Sequence, residues 1–445
     1  MPASLRWRVP ILAAIVALAA VAWFAGPAIG ARGQSALGVV CFIGVAIGFS
    51  ADIRAIRLRT FIAGLLLQIA LALLILRSAP VRRVFEAAGE GAKQFLGFSM
   101  EGAKFVFGPL VDAPAIERGL TLDKGGGVVF AFVVLPTVVF VSSVFSVLYH
   151  IGVLQFVVRG FARVMRFIMG TSGAETLSVT ASVFLGQSEA PLIVKPFIPR
   201  MTQSELLALM IGGMAHISGA LMAVYIGMGA DAVAILATSV MAAPASLYVG
   251  KLLRPETGTP ETLGDVKPAA GKEHANIIDA AAAGASQGMK LAINIAAMLI
   301  AFIAFIAMFN FLLGQFDPRL SLQSIFAKLF SPVAVLMGVQ GDDVPKVGEL
   351  LGTKLVTNEF VAFHTMTTTY RPGTENGLSP HAFVLASFAL TGFANFASIG
   401  IQLGGIGALA PTRRGDLARL GLTALLGGFL ATLINAALAG LLGVG

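Results

Sequence analysis

Charged residues are scarce in this chain of 445 residues. Asp, Glu, Lys and Arg make up 12% of the sequence, whereas a soluble domain carries roughly 25%. So little charge cannot cover a water-exposed surface, and lipid must therefore face much of the molecule. Hydrophobic residues make up 57%, and runs of about 20 apolar residues, the length that spans a bilayer, recur throughout. The composition leaves no room for a separate soluble domain and predicts an all-α integral membrane protein.

Cysteine is nearly absent as well. The single cysteine, Cys41, excludes an intrachain disulfide and a thiolate metal cluster. No group of His, Cys, Asp and Glu residues has the spacing of a metal site, so we expect no metal centre and no cofactor. The net charge is +8, but no run of Lys and Arg is interleaved with aromatic residues, so no nucleic acid is expected as a partner.

Apolar runs mark the candidate helices. The plain runs are residues 9–30, 36–50, 60–76, 127–148, 206–229, 232–248, 292–316, 382–409 and 417–442. Residues 86–107 and 157–169 mix charged with apolar residues, which is typical of amphipathic helices on the membrane surface. A cleaved signal peptide is the alternative for residues 9–30. This run is long for the apolar part of a signal, and we interpret it as a retained helix.

The distribution of basic residues predicts which side of the membrane each loop faces. Most Lys and Arg residues fall in loops on one side, which the positive-inside rule assigns to the cytoplasm. The longest polar loop, residues 254–275, lies on that side. The cluster of Arg77, Arg82 and Arg83 falls on the opposite side, and we expect it at the membrane interface.

Two segments interrupt the apolar pattern with polar residues at membrane depth. Residues 176–198 contain Glu189, and residues 350–366 contain Glu359. A charge near mid-membrane costs roughly 2.5–3.5 kcal/mol on insertion scales, so such a carboxylate normally faces a cavity. Irregular backbone at this depth persists only where it lines protein or water. We interpret both segments as re-entrant hairpins.

A repeat follows the two hairpins. Residues 213–219 (GMAHISG) resemble residues 392–398 (GFANFAS), and one more apolar helix follows each. The order hairpin, broken helix, helix therefore occurs twice. Paired interrupted segments are the best sequence indication of a transporter binding site. Close packing of small residues is the alternative for the glycines of residues 404–407. It explains Glu189 and Glu359 poorly, because a carboxylate in the membrane needs a partner.

At these positions the chain resembles the concentrative nucleoside transporters. The matching motifs are GQSEAP at 186–191, MTQSEL at 201–206, NEFVA at 358–362, GFAN at 392–395, IGIQ at 399–402, GALAP at 407–411 and DLAR at 416–419. The similarity runs from about residue 36 to the end, whereas the helix at 9–30 lies outside the bacterial family core. Several long motifs in the same order make the resemblance specific.

The resemblance implies an architecture. Inverted repeats of re-entrant hairpin, broken helix and helix are carried on a scaffold of outer transmembrane helices, and three copies form a homotrimer in the lipid of the inner membrane. The regions expected are 1–171 (mostly scaffold), 172–252 (first hairpin repeat), 253–286 (cytoplasmic linker and interfacial helix), 287–320 (scaffold helix) and 321–445 (second hairpin repeat). The two repeats would form a transport region that moves as an elevator.

The resemblance also implies import of nucleosides by cation symport and a set of substrate-binding residues. By matching positions, these are Gln187, Ser188, Glu189, Leu221, Glu359, Phe393, Asn395 and Ser398. The first hairpin would hold the nucleobase, while Glu359, Asn395 and Ser398 would hold the ribose with Phe393 close to it. A carboxylate can accept from two hydroxyls, and a glutamine can both donate to and accept from a base edge, so the residue types suit this substrate.

The positions implied for the coupling ion depart from the family. They are Ser182, Leu185, His216 and Ile217. Sodium-coupled members carry Asn at the position of Ser182 and a small hydroxyl residue at that of His216. Sodium prefers hard oxygen ligands, whereas imidazole changes charge near neutral pH. We therefore expect proton coupling. The alternatives are sodium coupling through a variant site, and a neutral His216 that only bonds a backbone carbonyl.

An intramembrane enzyme and a channel are the competing classes. Residues 284–288 (GASQG) match the G-x-S-x-G nucleophile motif by letter, but that motif requires a strand before the serine. Here it lies in an alanine-rich, helix-like stretch. Nothing in the sequence indicates the ring of a selectivity filter. The sequence therefore favours a transporter that is not an enzyme.

Overall fold

The computed structural model describes residues 3–111, 130–263 and 274–444. Within these ranges the chain forms α-helices joined by turns and short 3-10 segments, with no strand. The helices before the first repeat are α1 (Ala3–Phe24), α2 (Gly26–Gly48), α3 (Leu58–Arg77), α4 (Ala79–Phe107), α5 (Phe130–His150) and α6 (Val153–Met169).

The first repeat contains α7 (Gly173–Ala181), α8 (Gln203–Ala215), α9 (Gly219–Gly227) and α10 (Ala232–Leu253). Helices α11 (Ile277–Phe316) and α12 (Leu322–Leu336) follow. The second repeat contains α13 (Asp343–Val356), α14 (Glu359–Thr368), α15 (Pro380–Leu390), α16 (Phe396–Leu409) and α17 (Arg414–Leu441). The broken helix of the first repeat is α8 with α9, and that of the second is α15 with α16.

The repeats form the core, and the other helices face outward. Residues 204–226 and 427–440 are all buried, whereas 6% of residues 7–24 are buried. In the described part of the chain, seven helices are long and apolar enough to cross a membrane, or eight if the pair α5–α6, bent by 71°, is one span. The expected all-α membrane architecture with hairpins and broken helices is confirmed.

Several boundaries differ from the sequence expectations. Helix α4 begins seven residues earlier than the surface helix expected at 86–107. By contrast, the break expected at residues 392–398 is present, because α15 ends at Leu390 and α16 begins at Phe396. Helix α11 is one helix of 40 residues and passes without a break through the boundary expected between 286 and 287. Helix α12 was not predicted. Residues 127–129 and 264–273, which belong to an expected span and to the polar linker, lie outside the described residues.

Helices α5 and α11 approach closely because of two glycines. A Cβ at Gly284 would lie 2.6 Å from Cβ of Ser146, and a Cβ at Gly288 would lie 2.7 Å from Cα of Val139. Glycine at both positions lets the backbones touch, as in membrane helix pairs with small residues four apart. The Ser143 hydroxyl adds a bond to the Ala281 carbonyl at 2.8 Å. The GASQG motif thus lies within a close-packed helix, which excludes a nucleophile elbow.

Two members of the basic cluster, Arg77 and Arg82, have partners in the protein. The guanidinium of Arg77 donates to the Leu442 carbonyl, and Arg82 pairs with Glu86 at 2.9 Å. Because both side chains are at helix ends and largely exposed, their charges can remain in water while their stems lie along apolar surface.

Candidate functional site

Hairpin 1 comprises α7 and the irregular chain that returns from it to residue 200. It cannot continue as a long α-helix, because Pro191, Pro196 and Pro199 each lack a backbone donor. Short 3-10 segments at Ala190–Val194 and Ile198–Arg200 take its place. Residues 182–189, between α7 and the first of these segments, are therefore presented at the turn of the hairpin.

The helix breaks of the two repeats correspond. Helix α8 ends at Ala215, and the next residue, His216, has extended backbone. Ser218 caps α9 by accepting from the Leu221 N–H at 3.4 Å. Asn395, also in extended backbone, caps α16 by accepting from the Ser398 N–H at 2.9 Å. Each repeat thus opens its helix and closes the exposed N-terminus with a polar side chain.

The two breaks and hairpin 1 meet through backbone hydrogen bonds. The Phe393 N–H donates to the His216 carbonyl at 3.2 Å, and the Gly219 N–H donates to the Phe184 carbonyl at 2.8 Å. Unwound backbone would otherwise leave unpaired polar groups in the membrane, so these bonds satisfy it. They also fix the two repeats to one another at this point.

Gly392 permits this crossing. Its φ of +138° lies in a region that L-residues rarely adopt, and a Cβ there would lie 2.9 Å from Cγ2 of Thr432 and 3.0 Å from the carbonyl oxygen of Ala215. Any larger residue is therefore both strained and crowded at this position.

Glu359 is the buried carboxylate of the second hairpin, with 4% of its surface exposed. Its Oε1 accepts from the Tyr225 hydroxyl at 3.0 Å, and its Oε2 accepts from Nδ2 of Asn395 at 3.0 Å. It is the first residue of α14, whose N-terminus favours negative charge, and Asn358 caps that helix by accepting from Val361 N–H. Glu359 therefore joins the second hairpin to both broken helices.

Lys354, in α13 shortly before Glu359, has a fully buried side chain. Its Nζ donates to the Ala389 carbonyl at 2.7 Å and to the Thr432 hydroxyl at 3.2 Å, and it stands 5.6 Å from the centroid of the Phe429 ring. These two bonds satisfy two of the three Nζ donors within the buried site.

Gln187 joins hairpin 1 to the second repeat. Its Nε2 donates to the Ser398 hydroxyl at 3.2 Å, while its Oε1 is buried and has no hydrogen-bond partner among the described residues. The neighbouring Ser188 is exposed but lies close to α16. A Cβ added at Gly405 of that helix would be 3.2 Å from the Cβ of Ser188. A buried acceptor without a partner is a group that a ligand can satisfy.

Glu189 lies apart from Glu359. Its Oε2 accepts from the Gly186 N–H of hairpin 1 at 3.2 Å, and its Oε1 accepts from Nε2 of Gln287 in α11 at 2.8 Å. It lines a cavity of about 110 Å³ between hairpin 1, α9, α5 and α11, as does Leu185. Leu221, in the first turn of α9, is buried.

Three of the four expected coupling positions, Ser182, His216 and Ile217, are buried next to this meeting point, whereas Leu185 is partly exposed. The Ser182 hydroxyl donates to the Ser178 carbonyl at 3.1 Å, and Ile217 is fully buried. Nδ1 of His216 lies 2.7 Å from the Gly212 carbonyl, and a carbonyl only accepts, so Nδ1 carries the proton. In the neutral ring Nε2 is then a lone pair, and it has no hydrogen-bond partner among the described residues. No group of three or more potential metal ligands occurs in the described ranges.

Besides the local cap of α16 by Asn395, the structure brings predicted residues together at three points: Gln187 with Ser398, Glu359 with Asn395, and Phe393 with His216. Glu189 lines the cavity beside α5 and α11. Three polar partners were missed by sequence reasoning: Tyr225, Gln287 and Lys354. The signal for Lys354 was a lone lysine inside an interrupted apolar segment. Tyr225 and Gln287 lie in helical runs, and nothing in the sequence paired them with carboxylates so far away.

The base of hairpin 1 is held by two interlocked capping boxes. Ser172 and Glu175 cap α7, Thr202 and Glu205 cap α8, and the Ser172 hydroxyl donates across to Glu205 at 2.6 Å. Lys251, near the end of α10, lies 2.7 Å from Glu175 and pairs also with Glu256. This arrangement ties the starts of α7 and α8 to the end of α10.

Two hairpin and broken-helix units, whose breaks meet beside buried carboxylate, amide and hydroxyl groups, define a membrane transporter. Three family models match the chain: "Na+ dependent nucleoside transporter N-terminus" over residues 37–110, "Nucleoside recognition" over 131–232, and "Na+ dependent nucleoside transporter C-terminus" over 234–440. An uncharacterized transporter of Haemophilus influenzae is 41% identical over 416 residues, covering 92% of this chain and 97% of that protein. The chain belongs to the Na+-dependent nucleoside transporter family.

Further similarities agree with this assignment. Human sodium/nucleoside cotransporter 1 is 40% identical over 430 residues, which are 91% of this chain and 63% of that longer protein. The structure of CNTnw in an inward-facing, substrate-bound state matches with a TM-score of 0.87 and 41% identity, covering 92% of this chain and 98% of that one. A CNTnw double variant in an outward-facing state gives 0.86 and 40%, covering 92% and 97%. The protein is therefore a multi-pass transporter of the bacterial inner membrane and not an enzyme.

Proposed function

We propose that this protein imports nucleosides, with the ribose bound at Glu359 and the base at hairpin 1. The observation that carries the proposal is the arrangement around Glu359, where a buried carboxylate is held by Tyr225 and Asn395 at 3.0 Å each. A nucleoside is uncharged and carries vicinal hydroxyls, which a carboxylate can accept in pairs. The test is uptake of radiolabelled uridine into proteoliposomes. Saturable accumulation driven by an ion gradient is expected, and leakage in proportion to concentration would favour a channel.

The base end of the site is proposed from Gln187. Its buried Oε1 lacks a partner among the described residues, so a base N–H can satisfy it. Its Nε2, which donates to Ser398, links base recognition to the ribose end.

Gln187→Ala is expected to change the order of preference among nucleobases more than the preference for ribose over other sugars. Competition against uridine uptake by a panel of bases and sugars measures both preferences. Gln340→Ala is the matched control, because that carboxamide donates to Gln34 of α2 and to none of the predicted site residues. An unchanged ranking with uniformly weaker uptake would mean that the hairpin tip only positions the substrate.

We propose an elevator as the transport movement. Backbone hydrogen bonds hold the two breaks and hairpin 1 together, so the repeats can move as a unit against the outer helices. CNTnw has been captured both inward-facing and outward-facing, which supports such a movement in a relative. The homotrimer implied by the resemblance, with lipid around it, belongs to the same proposal.

For the coupling ion, we propose the proton. The support is His216, which is 1% exposed, has its Nδ1 proton directed to Gly212, and has a lone pair at Nε2. An imidazole of this kind can take up a proton, whereas it is a poor ligand for sodium. Coupling to sodium is the second candidate, and the description of the family favours it. In that case the Ser182 oxygen and backbone carbonyls would hold the ion.

Uridine uptake is expected to persist without sodium and to rise when the outside is acidified. His216→Ser paired with Ser182→Asn restores the residue types of sodium-coupled members and should shift the dependence from protons to sodium. Both proteins are compared in proteoliposomes with each gradient imposed separately. A wild type that requires sodium and ignores pH would contradict proton coupling and favour the second candidate.

A further inference from the structure

Glu189 faces a cavity that two different parts of the molecule enclose. One wall is hairpin 1 with the start of α9, and the other is formed by α5 and α11. Among the described residues that line it, Glu189 is the only carboxylate and Gln287 the only carboxamide. The hydrogen bond of 2.8 Å between them therefore crosses the cavity from one wall to the other.

Gln287 is held in place by the glycines on either side of it. Gly284 and Gly288 pack directly against the α5 backbone, where no Cβ would fit without movement. The register of α11 on α5 is therefore fixed, and so is the position from which the Gln287 side chain reaches Glu189. The GASQG motif therefore has a structural role, although it is no nucleophile elbow. Its glycines fix the packing of α11 on α5, and its glutamine extends from α11 to Glu189.

The two oxygens of Glu189 differ in what holds them. Oε2 accepts from the Gly186 N–H within hairpin 1, so this bond stays with the hairpin. Oε1 accepts from an amide N–H on α11. The Gln287 carboxamide offers the same kind of donor as the N–H edge of a nucleobase. Oε1 is thus the oxygen that a base can take while the turn of hairpin 1 stays intact.

We propose that Gln287 competes with the nucleobase for Oε1 of Glu189 and so weakens base binding from the α11 side. This inference rests on the proposed function, because it assumes a nucleoside at hairpin 1. Gln287 is a positioning residue that acts through Glu189. Losing it should tighten substrate binding, since the base then meets a carboxylate oxygen without a protein donor.

Gln287→Met tests the competition, because methionine keeps the length of the side chain and removes the donor. Uridine binding to the purified full-length protein in lipid nanodiscs should tighten about three- to tenfold, the range for a typical net hydrogen bond, because the bond between Gln287 and Glu189 is solvent-exposed. In uptake, KM should fall by a similar factor without a matching fall in kcat. Ser286→Ala, at the neighbouring exposed position on α11, should leave Kd and KM unchanged.

A double-mutant cycle separates this role from a structural one. In the Glu189→Ala background, the Kd of uridine is measured by competition at high uridine concentration. Adding Gln287→Met to Glu189→Ala should leave this Kd unchanged. A persisting effect there would overturn the proposal, because Gln287 would then act independently of Glu189. Unchanged or weaker binding by Gln287→Met alone would overturn it as well, and weaker binding would make Gln287 a direct ligand of the base. A wild type that binds no nucleoside of the panel would instead overturn the proposed function itself, and this inference with it.

Discussion

Glu359→Gln is expected to reduce uridine uptake at least about a hundredfold while the protein still inserts in the membrane. Hydrogen bonds to charged groups contribute about 1.5–3 kcal/mol each, so two ribose hydroxyls that lose a carboxylate acceptor account for a loss of this size. The amide also presents N–H donors where Tyr225 and Asn395 already donate.

The measurement is initial uptake in proteoliposomes that contain equal amounts of protein, with size-exclusion profiles to verify assembly. Glu349→Gln is the matched control in the same hairpin, because Glu349 accepts from the Tyr370 hydroxyl and an amide oxygen can do the same. Near-normal uptake by Glu359→Gln would refute the ribose assignment. A parallel loss in Glu349→Gln would indicate damage to the hairpin as a whole.

Gly392→Ala is expected to abolish most transport and to lower thermal stability. An L-residue at φ +138° is strained by about 1–3 kcal/mol, and the new methyl group would also press on Thr432 and on the carbonyl of Ala215. Thr432 is a hydrogen-bond partner of Lys354. Displacing Thr432 should therefore disturb the contacts of Lys354 as well as the bond between Phe393 and His216.

Uptake and the unfolding midpoint of the purified variant measure these two effects. Gly400→Ala is the control, because no atom lies within 4 Å of a Cβ at that helical position. Alanine is the better helix former by about 0.8–1.0 kcal/mol, so this variant should be as stable as the wild type or slightly more so. Normal transport by Gly392→Ala would mean that the crossing of the two broken helices tolerates rearrangement.

The sequence was sufficient to predict the class of fold. Interrupted apolar runs with carboxylates identified both hairpins, because charge at membrane depth requires a special environment. The similarity of residues 213–219 and 392–398 also located the breaks in the two broken helices, because paired interrupted segments are typical of transporter binding sites. Helix α12 was missed because its 15 residues, Leu322–Leu336, are too few for a full span.

The candidate site could be predicted only in part. The motifs supplied Glu359 and Asn395, and the structure places them in contact. Tyr225 lies 134 residues from Glu359 in the chain, and Gln287 lies 98 from Glu189. No periodicity reports on pairs so distant, because their proximity depends on how the repeats pack. The roles in substrate and ion binding stay predictions until transport is measured.

The interlocked capping boxes bear on how the chain is assembled during synthesis. Glu175 and Glu205 emerge from the ribosome well before Lys251, the cation that lies 2.7 Å from Glu175. Until α10 is inserted, the base of hairpin 1 carries two carboxylates, Glu175 and Glu205, that both accept from Ser172 and lack this counter-charge. Burial of the hairpin is unfavourable in that state. The hairpin should consequently settle into the protein after α10 and not in the order of translation. Truncation before residue 251 should accordingly leave α7 accessible to water.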